Sequence, residues 1–500
     1  MIARTARPTL LFVLLAAAVC ALLNPGNFGS VDTARRWQVA RSILWGEPAV
    51  TPADARQGFG IPGRYGARQA WYGIGQSLFL MPVDALVTTT VAPVLRRSAL
   101  DPLRQRQIVE LTVAFVMQTL LTACVLLLAH RLLLAFDFTN VIATAGALVL
   151  VFATTALQYI QCAQENELLL ALALAALVAI RAWHHEQRAR WPLLAGLACG
   201  FAILVRLPSL LETAIFALFA ITAGRDAKRF LAWFAPPVAG ALLVDRWYQW
   251  YRFGDVFSTY IGLFGKWNRG AQPASFPFSY PFWKGFLGVF FSLDKSVFLF
   301  DPLLILVLLL AVRNWRSLGR NMRCLFVCLA LLLIGYSVAY ARYYDFGGDV
   351  AWGHRFVLLP VQLLCLFAAP LLFTRRRRAL WAVVAASLVL QIASTVISPN
   401  VEVIQRTTVP GHSVLWNRAV NLVQLIANRQ DPWRLVGVPV EWRTVAYLPF
   451  QLTLRFPRIA IWATAVWIVL LLLAAVLVCL LVREALRQDA ARTAEIGAAA

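Results

Sequence analysis

Apolar runs dominate this chain and leave few folds open to it. The hydrocarbon core of a bilayer is about 30 Å thick, and a helix of about 20 apolar residues crosses it. Runs of roughly that length lie at 8–24, 107–130, 139–158, 167–183, 191–206, 208–223, 229–247, 296–312, 323–340, 356–373, 379–397 and 459–482. Hydrophobic residues make up 60% of the chain and charged residues only 14%, which excludes a soluble domain of ordinary composition. The sequence therefore predicts an all-α, polytopic integral membrane protein with about 12 transmembrane helices.

The basic residues indicate how the chain is oriented. Its formal charge of +22 could suggest nucleic-acid binding, but the basic residues fall in short clusters between apolar runs rather than on a soluble face. This is the positive-inside pattern, which predicts both termini in the cytoplasm of a plasma (inner) membrane protein. No clean A-x-A cleavage site follows the first apolar run, so we expect an uncleaved first helix. The inner clusters are Arg4 with Arg7, 181–190, 224–229, 313–323, 374–378 and the Ala-rich tail 483–500, which we expect to be disordered.

The outer, periplasmic segments are long by comparison. They cover 25–106, 159–166, 248–295, 341–355 and 398–458. Long connections in a compact protein are usually functional, so we expect the functional site on the outer face of a membrane module that covers 1–397. In the last outer loop, 398–458, the helical periodicity of 413–429 predicts a short helix over that site, followed by a final span at 459–482.

One further segment, 75–95, is apolar enough to span the membrane. Counting it as a span would move the basic clusters around 185, 226 and 376 to the outside, which the positive-inside rule disfavours. We therefore interpret 75–95 as interfacial or re-entrant.

Ionisable residues collect at the outer ends of the predicted spans. They are Glu110, Glu167, Arg206, Glu212, Asp245, Asp301 and Arg355. Such residues are costly in a membrane and tend to mark function, although any single one could also extend to the interface. Their shared side predicts a polar cavity that opens to the outer leaflet.

Carboxylates in the first two outer loops are candidates for catalysis. Asp32 opens a predicted amphipathic helix with Trp37 toward the membrane and Arg36 toward water, and it is either an N-cap or a general base. Glu165 and Glu167 could bind a metal or hold an acceptor hydroxyl, or could be solvated surface. We favour Glu167 of the two because it stands against the following helix.

The later outer loops are rich in basic and aromatic residues. Guanidinium and ammonium groups among rings suit the phosphate of a lipid carrier, or the headgroups of anionic lipids. The candidates for phosphate binding are Arg206, Lys295, Arg342 and Arg355. Gly347 and Gly348 permit a turn before Arg355. The candidates for substrate or metal binding are Asp345, Asp349, His354 and, in the glycine-aromatic segment 63–82, Tyr65.

Taken in order, several stretches resemble the GT-C glycosyltransferases, and more closely the bacterial glycosyltransferase family 39 and the dolichyl-phosphate-mannose-type protein mannosyltransferases. The resemblance rests on SVDTARRWQVARSIL, YGIGQSLFLMP, ENELLLALALAAL, GLACGFAILVRLPSLL, YRFGDVFSTY, SLDKSVFLFDP and FGGDVAWGHRF. The chain departs from that pattern because it has no Asp-x-Asp in these loops, and because SLDKS replaces a glycine-containing Ser-Pro turn. Metal dependence is therefore left open, with a divalent metal as the candidate cofactor.

The resemblance implies a polyprenyl-phosphate sugar as donor and an acceptor hydroxyl on the outer face. Asp32 would act as general base, Glu165 or Glu167 would match the second-loop acidic position, and Arg206, Lys295 and Arg355 would stand near the lipid phosphate. One carboxylate suffices for this chemistry, so we expect inversion at the anomeric carbon. The acceptor could be a glycan, a lipid or a protein. The alternative is a transporter or flippase for a lipid-linked saccharide, which would need polar groups continuing to the inner leaflet.

Overall fold

The computed structural model describes most of the chain. The described residues are 2–224, 226–267, 275–348, 351–373, 378–398, 401–402, 404–405, 411, 413–427, 445–448, 450 and 457–499. Asp349 and most of the loop 398–458 lie outside them.

Helices form nearly all of the regular structure, which confirms the helical class. The helices are α1 Ile2–Leu23, α2 Val31–Trp45, α3 Pro52–Arg56, α4 Gly75–Thr90, α5 Ala92–Arg96, α6 Pro102–Ala135, α7 Asn140–Phe152, α8 Ala156–Cys162, α9 Glu165–Glu186, α10 Arg190–Val205, α11 Ser209–Ala223, α12 Ala227–Phe253, α13 Tyr260–Trp267, α14 Phe282–Phe291, α15 Val297–Phe300, α16 Leu303–Arg313, α17 Arg320–Tyr340, α18 Leu358–Cys365, α19 Ala368–Phe373, α20 Arg378–Val396, α21 Val414–Ala427 and α22 Pro457–Ala499. One short antiparallel ribbon joins β1 Ile61–Pro62 to β2 Arg68–Gln69 in the first outer loop.

Several helices indicate a multi-pass membrane protein. Within the described ranges, five are long and apolar enough to cross a membrane, or six if a bent pair counts as one span. They are Gly75–Arg96, Pro102–Ala135, Glu165–Glu186, Arg320–Tyr340 and Ile461–Glu495, with Asn140–Phe152 and Ala156–Cys162 as the bent pair. Other apolar helices of 10–17 residues occupy further predicted runs, such as Arg190–Val205 and Ser209–Ala223. The total of about 12 spans stays a prediction.

The predicted run 139–158 is not one straight helix. It consists of α7 and α8, which meet at an angle of 58°. The break is stabilised by Asp301, whose carboxylate accepts hydrogen bonds from the backbone N–H of Thr155 (2.7 Å) and from its hydroxyl (2.9 Å). A buried helix start needs such acceptors, because its first N–H groups have no partner within the helix.

The segment 75–95 forms α4 and part of α5, and its length and composition also suit a span. Its contacts fasten it alongside α2. The Asp84 carboxylate accepts hydrogen bonds from the indole N–H groups of Trp37 (2.6 Å) and Trp45 (2.7 Å), and Arg41 lies 3.2 Å away. The Ser77 hydroxyl donates to the carbonyl of Arg36 at 2.9 Å. These contacts join α2 and α4 into one unit, whose placement in the interface stays an interpretation.

Two expectations from the sequence are wrong, one about the exposure of Arg36 and one about disorder in the tail. Arg36, expected to face water, is only 5% exposed because it is covered by the neighbouring helix and loop segments. Most of the tail, expected to be disordered, continues α22 as far as Ala499. This helix is anchored by Asp489, whose carboxylate accepts hydrogen bonds from the first N–H groups of α7 at 2.9 and 3.0 Å.

Candidate active site

Asp32 lies in the first turn of α2, where it faces other side chains rather than the helix end. Ser30 occupies the N-cap position, so the N-cap interpretation of Asp32 is wrong. One Asp32 carboxylate oxygen accepts a hydrogen bond from the Tyr72 hydroxyl at 2.6 Å, and the other lies 3.0 Å from the Arg355 guanidinium. Asp32 is therefore held by one phenol and one cation.

Glu165, the first residue of α9, completes an ionic cluster around Arg355. Its carboxylate lies 2.9 Å from Arg355 and 2.9 Å from Arg36, and all but 4% of its side chain is buried. We call Asp32, Arg36, Glu165 and Arg355 the ionic cluster. Two carboxylates and two guanidinium groups balance in charge, which is what makes their burial tolerable.

The loop 341–355 places Arg355 in this cluster. The Asn166 side-chain amide donates to the Arg355 carbonyl at 3.0 Å and so ties the loop to α9. Gly348 has φ +80°, and a Cβ at that position would stand 2.7 Å from the Cβ of Arg355. Only glycine meets both conditions easily, which explains the predicted turn at Gly347-Gly348.

The charges around Asp32 determine its protonation state. Burial acts to raise the pKa of Asp32, but the Arg355 and Arg36 guanidinium groups outweigh it and hold the pKa below its ordinary value. Burial, and next the Asp32 charge, raise the pKa of Tyr72 well above its ordinary value. Asp32 is therefore a carboxylate at neutral pH, and Tyr72 is a neutral phenol that donates to it.

Arg206 is a further cation, outside the ionic cluster, and two of its guanidinium nitrogens donate no hydrogen bond to the described residues. It is the C-cap residue of α10, in extended backbone. Its Nε and Nη1 atoms are buried and have no hydrogen-bond partner among the described residues, and its guanidinium lies 5.9 Å from the centre of the Tyr336 ring. The nearby Glu212 carboxylate instead accepts the Tyr336 hydroxyl at 2.5 Å. Buried donors without acceptors are costly, so this arrangement suits the binding of an anion.

Glu167 does not join the ionic cluster. Its carboxylate accepts a hydrogen bond from the Thr122 hydroxyl at 2.6 Å, and its second oxygen is buried without a partner in the described part of the chain. Successive helical residues are rotated by about 100°, so Glu165 and Glu167 point to nearly opposite faces of α9. The contacts therefore favour Glu165 over Glu167 as the second-loop carboxylate.

The other two phosphate candidates differ in burial. Lys295 is 4% exposed, and its ammonium donates to the carbonyls of Ala351 (2.6 Å) and Gly353 (3.4 Å), so it supports the loop that carries Arg355. The Arg342 side chain is exposed, and its carbonyl accepts a hydrogen bond from the backbone of Tyr280 at 3.0 Å. Phosphate binding by either residue stays a prediction.

The side chain of His354, a residue of the loop 341–355, is buried. It is 1% exposed, and its ring lies between those of Phe346 and Phe356, with centroids 5.8 and 6.3 Å away. Burial, assisted by the charge of Lys295, lowers the pKa of His354 to about 3. His354 is therefore a neutral ring at physiological pH.

The remaining substrate and metal candidates do not converge in the described residues. Tyr65 is 72% exposed and lies against Tyr251, while Asp345 is half-buried at the turn. Asp349 is outside the described ranges. No group of three or more His, Cys, Asp or Glu side chains that could hold a metal ion is found in the part of the chain that the structure describes.

Two residues of this site, Arg36 and Tyr72, were not predicted from the sequence. Arg36 lies one helical turn after Asp32, and this i, i+4 spacing could have placed it on the same face. Its guanidinium also lies 4.3 Å from the centre of the Tyr72 ring. Tyr72 belongs to the glycine-aromatic segment 63–82, and no pattern in that segment distinguishes it from the neighbouring aromatic residues.

A cavity of about 1010 Å³ adjoins the first turn of α2. Its lining comes from residues 26–31, Ala34 and Leu100, and from Arg104, Gln107, Ile108, Glu110 and Leu111 in the first turns of α6. Asp32 is not among the lining residues, since its carboxylate points toward Tyr72 and Arg355. The cavity and the ionic cluster therefore lie on different sides of the same helical turn.

Comparison with known proteins gave no match. No protein-family model matches it, and neither does a curated protein or a solved structure. The resemblance to the GT-C glycosyltransferases therefore rests on the sequence stretches alone, and the site must be interpreted from its own chemistry.

Proposed function

We propose that this protein is a membrane glycosyltransferase that moves a sugar from a polyprenyl-phosphate donor to an acceptor hydroxyl. The observation that carries the proposal is the position of Asp32 in the ionic cluster. A half-buried carboxylate accepts a hydrogen bond from Tyr72 and pairs with Arg355, and the Arg206 guanidinium has no hydrogen-bonded anion among the described residues. This arrangement supplies a base and cations, the two components that transfer from a phosphate-linked sugar requires.

The charge balance favours an anionic donor. The ionic cluster is neutral by itself, whereas Arg206 keeps buried N–H groups without acceptors among the described residues. The Nε atom of Arg355 is likewise buried without a partner there. A phosphate group would satisfy such donors with charge-assisted hydrogen bonds, which guanidinium groups form especially well.

The proposed reaction is a single displacement. Asp32 takes the proton of the acceptor hydroxyl as its oxygen bonds to the anomeric carbon. The bond from that carbon to the phosphate oxygen breaks at the same time, and its electron pair leaves with the lipid phosphate. Arg206 and Arg355 stabilise the negative charge that collects there. Attack opposite to the leaving group inverts the anomeric carbon.

Pairing with Arg355 makes Asp32 a weak base in the unliganded protein, because it lowers the pKa of the carboxyl group. A donor phosphate that draws Arg355 toward itself weakens this ion pair. Asp32 then becomes more basic as the donor binds, which couples proton removal to the presence of the leaving group.

The proposal places the ionic cluster on the outer face of the plasma membrane. The positive-inside rule assigns the loops that carry Asp32, Glu165 and Arg355 to that face and both termini to the cytoplasm. The contacts that join α2 and α4 keep the two helices together, and the proposal assigns both to the interface in a GT-C-like arrangement of about 12 spans.

The test uses the purified protein in nanodiscs with a labelled polyprenyl-phosphate sugar and a panel of hydroxyl acceptors. We expect transfer of label to an acceptor, and a loss of about 10²-fold or more in Asp32→Asn, as for removal of a general base. Asp54→Asn is the matched control, because Asp54 belongs to the same loop but pairs with Arg35 at 3.1 Å.

Undiminished transfer in Asp32→Asn would overturn the assignment of the base. Movement of the labelled lipid across a vesicle membrane without transfer to any acceptor would instead support the alternative, a transporter or flippase.

A further inference from the structure

Helix α21, in the last outer loop, has its polarity reversed. Its inward face is largely polar, with Asn417, Arg418, Asn421 and Gln424 each no more than 4% exposed. Its exposed positions are all apolar, and they are Trp416, Ala419, Val423, Ile426 and Ala427. Spacings of three and four residues put these side chains in one stripe along the helix. A helix on a water-facing surface has the opposite distribution.

Asn421 and Arg418 hold the inward face in place, whereas Asn417 Oδ1 and the side-chain amide of Gln424 are buried without a hydrogen-bond partner among the described residues. The side-chain amides of Gln405 and Asn421 exchange hydrogen bonds at 2.7 and 2.9 Å. The Arg418 guanidinium lies 2.5 Å from the carboxylate of Glu402 and 5.4 Å from the centre of the Trp352 ring. The orientation of α21 about its axis is therefore determined by polar contacts, which leave the apolar stripe pointing outward.

Helix α20, against which α21 packs, has the same reversed pattern. Its buried side chains include Ser387, Gln391, Ser394 and Thr395, all at 0–1% exposure. Among its exposed side chains are Trp381, Val389 and Ile392. A predicted span with polar groups inside and apolar groups outside is facing hydrocarbon.

Arg418 fastens α21 to the end of α20. Its guanidinium donates to the carbonyls of Ser394 (2.5 Å), Ile397 (3.0 Å) and Ala393 (3.2 Å), which belong to the last turn of α20 and the residue that follows. The apolar stripe of α21 therefore lies at the depth where α20 leaves the membrane. Tryptophan is enriched at this depth, which suits the exposed Trp416.

We propose that α21 is an interfacial helix whose apolar stripe is embedded among the acyl chains of the membrane lipid at this end of α20. The sequence predicted a short helix over the site, and the proposal gives that helix a position in the membrane interface. At the start of α21, one turn before Arg418, the backbone N–H of Val414 donates to Asp294 at 3.0 Å, and Asp294 precedes Lys295, which supports the loop of Arg355. The lipid surface is thereby linked to the ionic cluster through a short chain of contacts.

The test measures where a nitroxide attached to the stripe resides. The exposed native thiols Cys124 and Cys479 are first replaced by serine. Val423→Cys and Ile426→Cys are then labelled in nanodiscs of phosphatidylcholine and phosphatidylglycerol. Val389→Cys on α20 serves as the lipid control, and Tyr65→Cys, at a position that is 72% exposed in the first outer loop, serves as the water control.

We expect both labels on α21 to match Val389→Cys, with a ratio of oxygen to nickel-chelate accessibility severalfold above that of Tyr65→Cys. Dominance of the nickel chelate would place the stripe in water and overturn the proposal. Low accessibility to both reagents would show a protein covering and overturn it as well. Because the accessibility measurement does not involve catalysis, it tests the interfacial position of α21 independently of the proposed glycosyl transfer.

Discussion

The Arg355 guanidinium lies 3.0 Å from the Asp32 carboxylate and joins residues that are 323 positions apart in the chain. The same guanidinium nitrogen lies 2.9 Å from Glu165, so one cation connects the first, second and fourth of the predicted outer loops. Such a shared cation makes the three loops depend on one another. Changes at any of these residues should therefore affect both stability and donor binding.

The two glutamates of α9 should respond differently to the same substitution. Glu165→Gln leaves the buried Arg36 and the partly buried Arg355 short of one negative charge, and loss of one partner from a buried ion pair typically costs about 3–5 kcal/mol. Glu167→Gln keeps an amide oxygen to accept from Thr122 and removes no cation's partner, so we expect a change below about 1 kcal/mol. Thermal unfolding of both variants in the same detergent compares them directly. Equal losses in the two variants would contradict the division of roles.

Arg206→Met should separate stability from function. The guanidinium has buried nitrogens without partners among the described residues, and replacing an unsatisfied cation by an apolar side chain of similar length relieves that cost. We expect a melting temperature equal to or above that of the wild type. Affinity for a polyprenyl-phosphate sugar, measured by titration with the purified protein, should fall by about tenfold or more. Unchanged affinity would remove Arg206 from the donor site.

Tyr72→Phe should shift the acid limb of the pH profile. The Tyr72 hydroxyl donates to the Asp32 carboxylate at 2.6 Å and so favours its charged form. Loss of this hydrogen bond raises the pKa of Asp32, so protonation would begin to inactivate the base at a higher pH than in the wild type. The measurement is kcat/KM for transfer against pH in both proteins. Tyr65→Phe is the control, because Tyr65 is exposed and makes ring contacts with Tyr251 and Arg64.

His354 should make the protein less stable as the pH falls. Burial lowers the pKa of His354 from an ordinary value of 6.5 to about 3, so the folded protein keeps the ring neutral while the unfolded chain binds a proton. This contribution is fully present above pH 6.5 and is lost as the pH falls toward 3, by about 1.4 kcal/mol for each pH unit. His354→Gln should show a shallower decrease in melting temperature between pH 6.5 and 4. Parallel curves of melting temperature against pH for the wild type and His354→Gln would contradict this role of His354.

The sequence by itself determined the helical membrane character of this protein. Apolar runs and helical periodicity are local properties, which a sequence displays directly, and they located α9, α17 and α21 as well as the loops that carry Asp32, Glu165 and Arg355. Charge patterns likewise predicted that polar groups would gather at one end of the spans. Each of these inferences uses only neighbouring residues.

Tertiary structure alone decided which of these groups meet. The choice of Glu165 over Glu167 depends on which face of α9 turns toward Arg355, and both faces carry a carboxylate at the same end of the helix. Tyr72 became a partner of Asp32 only because α4 lies against α2, which brings the segment before α4 beside the start of α2. Contacts between distant segments follow from how whole helices pack and from which buried charges can be neutralised together, and no local pattern in the chain contains that information.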